Sequence, residues 1–208
     1  MAPKERAATA AWLPQKREIA WPMSGERVVA LGRLPYLARG ASLSDDDQSA
    51  VDAALDRMGL HSFRARIATQ LSGGEQARVL IARTLAQDTP LLMADEPIAG
   101  LDPAAQIATL DVFKTLAREG RAVFTSLHDL SLAARYCTRL IVISAGRIAA
   151  DGPTDEVLTK DKLADVFHLQ ADIVNTPSGA LIEPLGVLSC LRRNASCVCR
   201  RRLLPTTR

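Results

Sequence analysis

A serine and two glycines open a predicted helix in the stretch LSGGEQ at residues 71–76. Ser72 and Glu75 have the spacing of a capping box, in which each side chain binds the other residue's backbone N–H, so the pattern has a purely structural explanation. That explanation does not account for Gly73 and Gly74, because each glycine costs a helix up to about 1 kcal/mol relative to alanine. Uncovered backbone N–H groups at a helix N-terminus suit an anion, and a serine hydroxyl adds a donor. The stretch therefore indicates a phosphate-binding surface.

Two neighbouring acids follow the apolar run of LLMADEP at residues 91–97. Such a run is typical of a buried parallel strand that delivers carboxylates at its carboxyl end. Phosphate-transfer enzymes use an aspartate in the place of Asp95 to bind Mg²⁺, and an acid in the place of Glu96 as a base for water. The alternative is a loop whose acids face the solvent. Asp102 and Pro103 then predict a helix start, since aspartate caps a helix and proline fits its first turn.

His128 and Gln15 also follow predicted strands. His128 comes directly after AVFTSL at residues 122–127, which we interpret as a second buried strand. A histidine at the carboxyl edge of a sheet can contact a terminal phosphate or a catalytic water, although a lone histidine is more often structural. Gln15 follows the short predicted strand at 10–14, and taken alone it is most simply a surface-loop residue.

The elements that must position these residues alternate along the chain. Helices are predicted around 25–31, from Ser44 to Gly59, over 75–87, from Asp102 to Gly120 and over 129–137. After these come a hairpin at 139–152, two short helices near 153–168 and a further pair of strands to about 185. Strands that alternate with helices predict a parallel sheet covered on both faces, and hence the α/β class. The block at about 42–87 contains no predicted strand, which indicates a helical subdomain inserted into the α/β core.

Length and composition limit the function classes. The 208 residues, 48% of them hydrophobic, suffice for one domain, or for one domain with a subdomain. No apolar run approaches the roughly 18–20 residues that span a bilayer, and the first residues lack the apolar core of a secretion signal. We therefore expect a protein of the cytoplasm.

The net charge of +3 comes from the last residues of the chain. Residues 186–208 contain six arginines and no acid, and without them 20 basic residues stand against 23 acidic ones. This distribution does not resemble a nucleic-acid-binding surface, where basic residues cluster on a folded face. Cys190, Cys197 and Cys199 lie in the same segment, but their spacing without a nearby histidine is a poor match to a zinc site. We expect residues 186–208 to be a disordered basic tail.

In this order the motifs resemble those of the ATP-binding subunits of ABC transporters. LSGGEQ resembles the signature motif, Leu91–Glu96 the Walker B strand and AGLD at 99–102 the D-loop, while His128 matches the switch histidine and Gln15 the Q-loop glutamine. The resemblance implies a P-loop NTPase-type parallel sheet with an inserted helical subdomain.

The matched positions of LSGGEQ and the D-loop imply contacts with a second subunit. The resemblance implies that Ser72, Gly73 and Gly74 grip the γ-phosphate of ATP held by the opposite subunit. Glu75 belongs to the same ATP-binding set. Asp102 would signal across the interface of the dimer.

The other matched positions imply the chemistry of ATP hydrolysis. Asp95 would hold Mg²⁺ through water, with Gln15 also near the metal. Glu96 would act as general base or would polarise the attacking water, and His128 would steady the γ-phosphate. Gln15 would report the occupancy of the site to the membrane subunit.

A phosphate cradle of the form G-x-x-x-x-G-K-S/T does not occur in the 208 residues. The lysines are Lys4, Lys16, Lys114, Lys160 and Lys162, and none follows a glycine. The family places this loop upstream of the Q-loop, and here the Q-loop equivalent is already at Gln15. We therefore expect an ABC domain over 1–185 that is truncated before the Q-loop, lacks the first strand, and is inactive as an ATPase by itself. The missing strand should leave an edge or gap in the sheet.

The segment at 17–39 resembles that of importer ATPases for iron-siderophores, haem and cobalamin, with Gly32, Arg33, Pro35 and Tyr36 in the matching places. This resemblance implies an energy-coupling subunit on the cytoplasmic face of a bacterial inner membrane. Its partners would be a second ATP-binding subunit, integral-membrane permease subunits and, indirectly, a periplasmic binding protein, with no nucleic acid. One alternative is a catalytically dead partner that supplies the signature motif to an intact subunit. Another is an ABC-type protein acting on DNA or ribosomes, but the long coiled-coil insertion or tandem domain of those proteins is absent.

Overall fold

A computed structural model describes residues 2–16, 18–38, 40–177 and 179–188. The described residues form two compact units, which divide between residues 129 and 130. The predicted basic tail lies outside the described residues from position 189 onward, as do its three cysteines. The single family domain over 1–185 and the helical subdomain at 42–87 stay predictions.

The first unit contains a three-stranded parallel sheet in the order β1-β2-β3. Its strands are β1 (Ala10–Leu13), β2 (Leu91–Ala94) and β3 (Ala122–Thr125). The register has no slip, and the last row across the sheet consists of Leu13, Ala94 and Thr125. All three strands therefore end at one edge, where the residues that follow them are brought together.

The helices of the first unit begin at recognisable caps. They are α1 (Pro3–Thr9), α2 (Gly25–Ala30), α3 (Asp45–Arg57), α4 (Gly73–Ala86) and α5 (Pro103–Arg118). Short 3₁₀ turns lie at Leu31–Arg33, His61–Phe63 and Ala68–Gln70. The four helices predicted in this region are confirmed. Helix α1 was not predicted, because none of its residues is buried and its sequence has no apolar stripe.

The two faces of the sheet differ in burial. One face carries small and branched residues that are buried, namely Ala11, Leu13, Leu92 and Ala94. On the other face the register places Met93 between Trp12 and Phe124, and the last two are 50% and 53% exposed. The prediction that the 122–127 strand is buried is wrong. Strand β3 has no buried residue: Val123 and Thr125 are half-buried, and Ala122 and Phe124 are exposed.

The C-terminal end of α4 is bound by side chains from the segment after α2. Arg33 donates from Nη1 to the carbonyl oxygen of Ala86 at 3.0 Å and from Nε to Asp47 Oδ1 at 2.8 Å. Tyr36 donates its hydroxyl to the carbonyl oxygen of Gln87 at 2.7 Å, and the Arg33 guanidinium lies 4.1 Å from the centre of the Tyr36 ring. Because carbonyl groups at a helix end lack intrahelical partners, these bonds satisfy them and tie α4 to α3.

The second unit contains two antiparallel strand pairs and short helices. Its elements, described to residue 188, are α6 (Leu130–Tyr136), β4 (Arg139–Ser144), β5 (Arg147–Pro153), α7 (Thr154–Val157), α8 (Lys160–Phe167), β6 (Leu169–Thr176) and β7 (Gly179–Val187). The predicted hairpin, helices and final strand pair are confirmed, and the hairpin turns at Ala145 and Gly146 with φ of 48° and 73°. Across the described part of the chain, every helix is too short or too polar to cross a bilayer.

Gly32 is required by the close passage of its segment against α4. A Cβ built on Gly32 would overlap the backbone carbonyl oxygen of Arg83, which cannot move without distorting the helix. We predict that Gly32→Ala lowers the free energy of unfolding by about 2–3 kcal/mol, as measured by urea denaturation. Gly186→Ala is the matched control, because a Cβ there meets no atom within 4 Å. Equal denaturation midpoints for the two variants would contradict the prediction.

Candidate functional site

The carboxyl edge of the sheet holds a hydrogen-bonded cluster of polar side chains. Ser126 Oγ donates to Asp95 Oδ1 at 2.6 Å and accepts from the Glu96 N–H at 2.8 Å. His128 Nε2 lies 2.5 Å from Glu96 Oε1. The structure therefore brings together three of the residues predicted to act in chemistry: Asp95, Glu96 and His128.

The backbone ladder continues past the strand ends and fixes this cluster. The Asp95 N–H donates to the carbonyl oxygen of Leu13 at 2.9 Å, and the Ser126 N–H donates to that of Ala94 at 3.1 Å. Each loop therefore leaves its strand in register with its neighbour. Gln15 lies two residues beyond the end of β1 at the same edge, with an exposed side chain.

Exposure differs between the two members of the His128–Glu96 pair. The Glu96 side chain is 21% exposed, whereas the His128 side chain is 81% exposed. A carboxylate held in this way can accept a proton from a water molecule, and the imidazole can donate a hydrogen bond to an anion. The cluster thus has the groups that water activation at a phosphate requires.

The LSGGEQ stretch forms the start of α4, and its capping box is confirmed. Ser72 Oγ accepts from the Glu75 N–H at 3.4 Å, and Glu75 Oε2 accepts from the Ser72 N–H at 2.7 Å. The bond from the Ser72 backbone is the largest cause that lowers the pKa of Glu75, so the carboxylate stays ionised at the helix N-terminus. The structural role of Ser72 and Glu75 is therefore real.

Gly73 and Gly74 have no such role within the part of the chain that the structure describes. Among the described residues, a Cβ built on Gly73 would meet no atom within 4 Å, and one on Gly74 would make ordinary contact with Leu101 at 3.8 Å and with the Gly100 carbonyl oxygen at 4.0 Å. Neither glycine has a positive φ. Since the chain's own packing and backbone accept alanine at both positions, the glycine pair is explained by nothing inside the described structure.

Asp102 caps the next helix, as predicted. Its Oδ1 accepts from the Ala105 N–H at 2.9 Å, and Pro103 occupies the first turn of α5. The preceding residue, Leu101, is buried. The contact distance from Leu101 to the Gly74 position places the predicted D-loop beside the start of α4.

The residues around Asp95 fit a magnesium ion that is bound through a single protein carboxylate. Within the described residues, no group of three or more histidine, cysteine or acidic side chains is arranged to hold a metal ion. Mg²⁺ is normally bound by one or two carboxylates, with water molecules and substrate phosphates completing its shell. Asp95, half-buried and with Oδ1 oriented by Ser126, fits as such a single carboxylate.

Ser126 was not among the predicted site residues. It lies two positions before His128, and the two-residue period of an extended chain places both on one side of the backbone. That spacing is the signal that could have identified it, but it is weak without knowledge of which strands are neighbours.

Comparison with known proteins gives matches to one family. The family model described as "ABC transporter" matches residues 3–99. The hemin import ATP-binding protein HmuV of Streptomyces coelicolor is 42% identical over 86% of this chain and 63% of its own length. The cobalamin import ATP-binding protein BtuD of Halobacterium salinarum is 43% identical over 84% of this chain and 44% of its own length. The chain thus spans less than two thirds of the length of each of these relatives.

A solved structure supports the same relationship. An inward-facing metal-chelate type ABC transporter has a TM-score of 0.74 and 25% identity, over 86% of this chain and 72% of that chain. The mixed arrangement of parallel sheet and helices is therefore the fold of these ATPases.

The glycine pair allows stability and function to be separated. We predict that Gly73→Ala leaves the free energy of unfolding unchanged or raises it by up to about 1 kcal/mol, because alanine is the better helix former and the added Cβ has room. Thermal and urea denaturation of the variant provide the measurement. Ser72→Ala, which removes the cap, should instead destabilise the protein by about 1 kcal/mol. A marked loss of stability in Gly73→Ala would show that the glycine has an internal role.

Proposed function

Because the chain belongs to the family of ABC transporter ATP-binding domains, we propose that it is the ATP-binding subunit of an importer for a metal chelate. The observation that carries the proposal is the hydrogen-bonded cluster of Asp95, Glu96 and His128 at the edge of the parallel sheet. Haem, cobalamin and iron-siderophores are the chelates concerned. The names of the relatives and the GRLPY segment at 32–36 support this choice.

The side chains of the cluster have separate tasks in this proposal. Mg²⁺, when bound, neutralises charge on the phosphate oxygens of ATP. Asp95 holds the ion's water shell, with Gln15 nearby at the same edge. Glu96 accepts the proton of the attacking water, and His128 keeps the Glu96 carboxylate in place and donates to the γ-phosphate.

The start of α4 serves a second subunit in this proposal. Ser72, Gly73 and Gly74 present a hydroxyl and backbone N–H groups to ATP that the partner holds, and Glu75 keeps the helix start formed. What supports this is that no described part of the chain requires glycine at the two positions, since a bare backbone permits close approach of a ligand. Asp102 follows Leu101, which lies beside this helix start, and relays contact across the interface.

The partners and location follow from the same proposal. They are a second ATP-binding subunit, integral-membrane permease subunits and, indirectly, a periplasmic binding protein. The subunit lies on the cytoplasmic face of the inner membrane, and nucleic acid is not a partner.

A second candidate function is a subunit that supplies LSGGEQ to an intact partner without hydrolysing ATP itself. The observation that favours it is the absence of a G-x-x-x-x-G-K-S/T stretch from the 208 residues. In a mixed dimer, one composite site would then combine the partner's phosphate cradle with Ser72, Gly73 and Gly74 of this chain.

The 208-residue polypeptide by itself is expected to bind Mg-ATP only weakly. A phosphate cradle supplies several charge-assisted hydrogen bonds of about 1.5–3 kcal/mol each. Without four of them, most of the roughly 8 kcal/mol behind micromolar affinity is lost. Isothermal titration should therefore give a dissociation constant above about 1 mM. Micromolar binding would contradict the expectation. An ABC ATP-binding subunit that has the phosphate cradle, measured in the same buffer, is the control.

A mixed assembly tests the contribution of LSGGEQ in trans. The partner is an ABC ATP-binding subunit that has the phosphate cradle but whose own signature motif has been inactivated. Only the LSGGEQ stretch of this chain can then complete the site around the partner's ATP. We predict that adding the chain restores ATP hydrolysis, and that Gly74→Asp reduces the restored rate at least about tenfold because its carboxylate repels the phosphate. Ser49→Ala, on the surface of α3, is the control and should leave the rate unchanged. Equal rates with Gly74→Asp would exclude this function for the stretch.

A further inference from the structure

The backbone of Glu96 has a conformation that needs support. Its φ is 45°, in the left-handed region that non-glycine residues rarely occupy. The next residue is Pro97, and a residue before proline normally adopts extended backbone. Such a conformation is unfavourable and persists only where neighbouring groups fix it.

Ser126 supplies one of these groups through a single hydroxyl. Its Oγ accepts from the Glu96 N–H at 2.8 Å and donates to Asp95 Oδ1 at 2.6 Å. The position of the hydroxyl is set in turn by the sheet, because the Ser126 N–H donates to the Ala94 carbonyl oxygen at 3.1 Å. The serine thus connects the end of β3 to both acids that follow β2.

We propose that Ser126 is a positioning residue that holds the Glu96 backbone in its left-handed conformation and orients the Asp95 carboxylate. Its hydroxyl is both acceptor and donor, and alanine can provide neither function. Threonine keeps the hydroxyl on the same carbon. Ser126→Thr should therefore preserve the arrangement that Ser126→Ala loses.

The hydrogen bond from Ser126 also distinguishes the two oxygens of the Asp95 carboxylate. Oδ1 accepts the hydrogen bond from the serine hydroxyl, and the carboxylate so oriented can meet the water shell of a magnesium ion through Oδ2. Ser126 itself reaches the chemistry only through Asp95 and Glu96. This consequence for hydrolysis rests on the proposed function, whereas the effect on the backbone does not.

The test measures amide proton exchange with solvent by NMR in the 208-residue chain, without nucleotide. We expect Ser126→Ala to speed exchange of the Glu96 N–H about tenfold, the effect of losing a hydrogen bond worth roughly 1.4 kcal/mol. The Asp95 N–H is the internal control, because its acceptor is the Leu13 carbonyl oxygen and not the serine. Ser126→Thr should restore slow exchange at Glu96. Ser49→Ala, which removes a helix-surface hydroxyl bonded to Asp45, is the matched serine control.

Two results would overturn the proposal. Unchanged exchange at Glu96 in Ser126→Ala would show that the serine does not hold the segment. Equal acceleration at Asp95 and Glu96 would show that the serine only stabilises the fold in general. If an intact dimer that contains this chain hydrolyses ATP at its Glu96, Ser126→Ala should lower kcat and leave KM unchanged. If that dimer hydrolyses no ATP even with the unsubstituted chain, the result counts against the proposed function alone. The exchange measurement would still decide the role of Ser126.

Discussion

The unbroken parallel register of β1, β2 and β3 determines where the polar cluster at the carboxyl edge of the sheet lies. The N–H of the first residue after β2 and of the first residue after β3 each bond to the last carbonyl of the neighbouring strand, so the ladder extends into the loops. A slip of one residue would send the side chains of Asp95 and Ser126 to the opposite face of the sheet. The geometry of the acids, the serine and the histidine is therefore a property of strand pairing first and of the loops second.

Helix α4 is held by the first unit, although the groups at its N-terminus are proposed to serve a second subunit. Its 14 residues give it a length of about 21 Å, so its two ends lie in different surroundings. Arg33 and Tyr36 bind one end of the helix. The other end has its own Ser72–Glu75 capping pair, with Arg66 Nη1 lying 3.6 Å from Glu75 Oε1. The internal contacts thus fix the direction of the helix and leave its N-terminus open to another molecule.

What the sequence could predict depended on how far apart the interacting residues are. The caps of α3, α4 and α5 were predictable, because each is formed by residues three positions apart. The order of the motifs predicted the grouping of Asp95, Glu96 and His128. The exposure of β3 was not predictable, since burial of a strand depends on which strands and helices flank it. Ser126 was missed because its two partners lie 30 and 31 residues earlier in the chain.

The exposed row formed by Trp12, Met93 and Phe124 has a spectroscopic consequence. The chain contains two tryptophans, and Trp21 is already 70% exposed. Trp12 is half-exposed on the sheet, three residues before Gln15. Any apolar surface that covers this face would remove water from the Trp12 indole and shift its emission to shorter wavelength. The molecule therefore carries an intrinsic fluorophore that senses the covering of its own sheet.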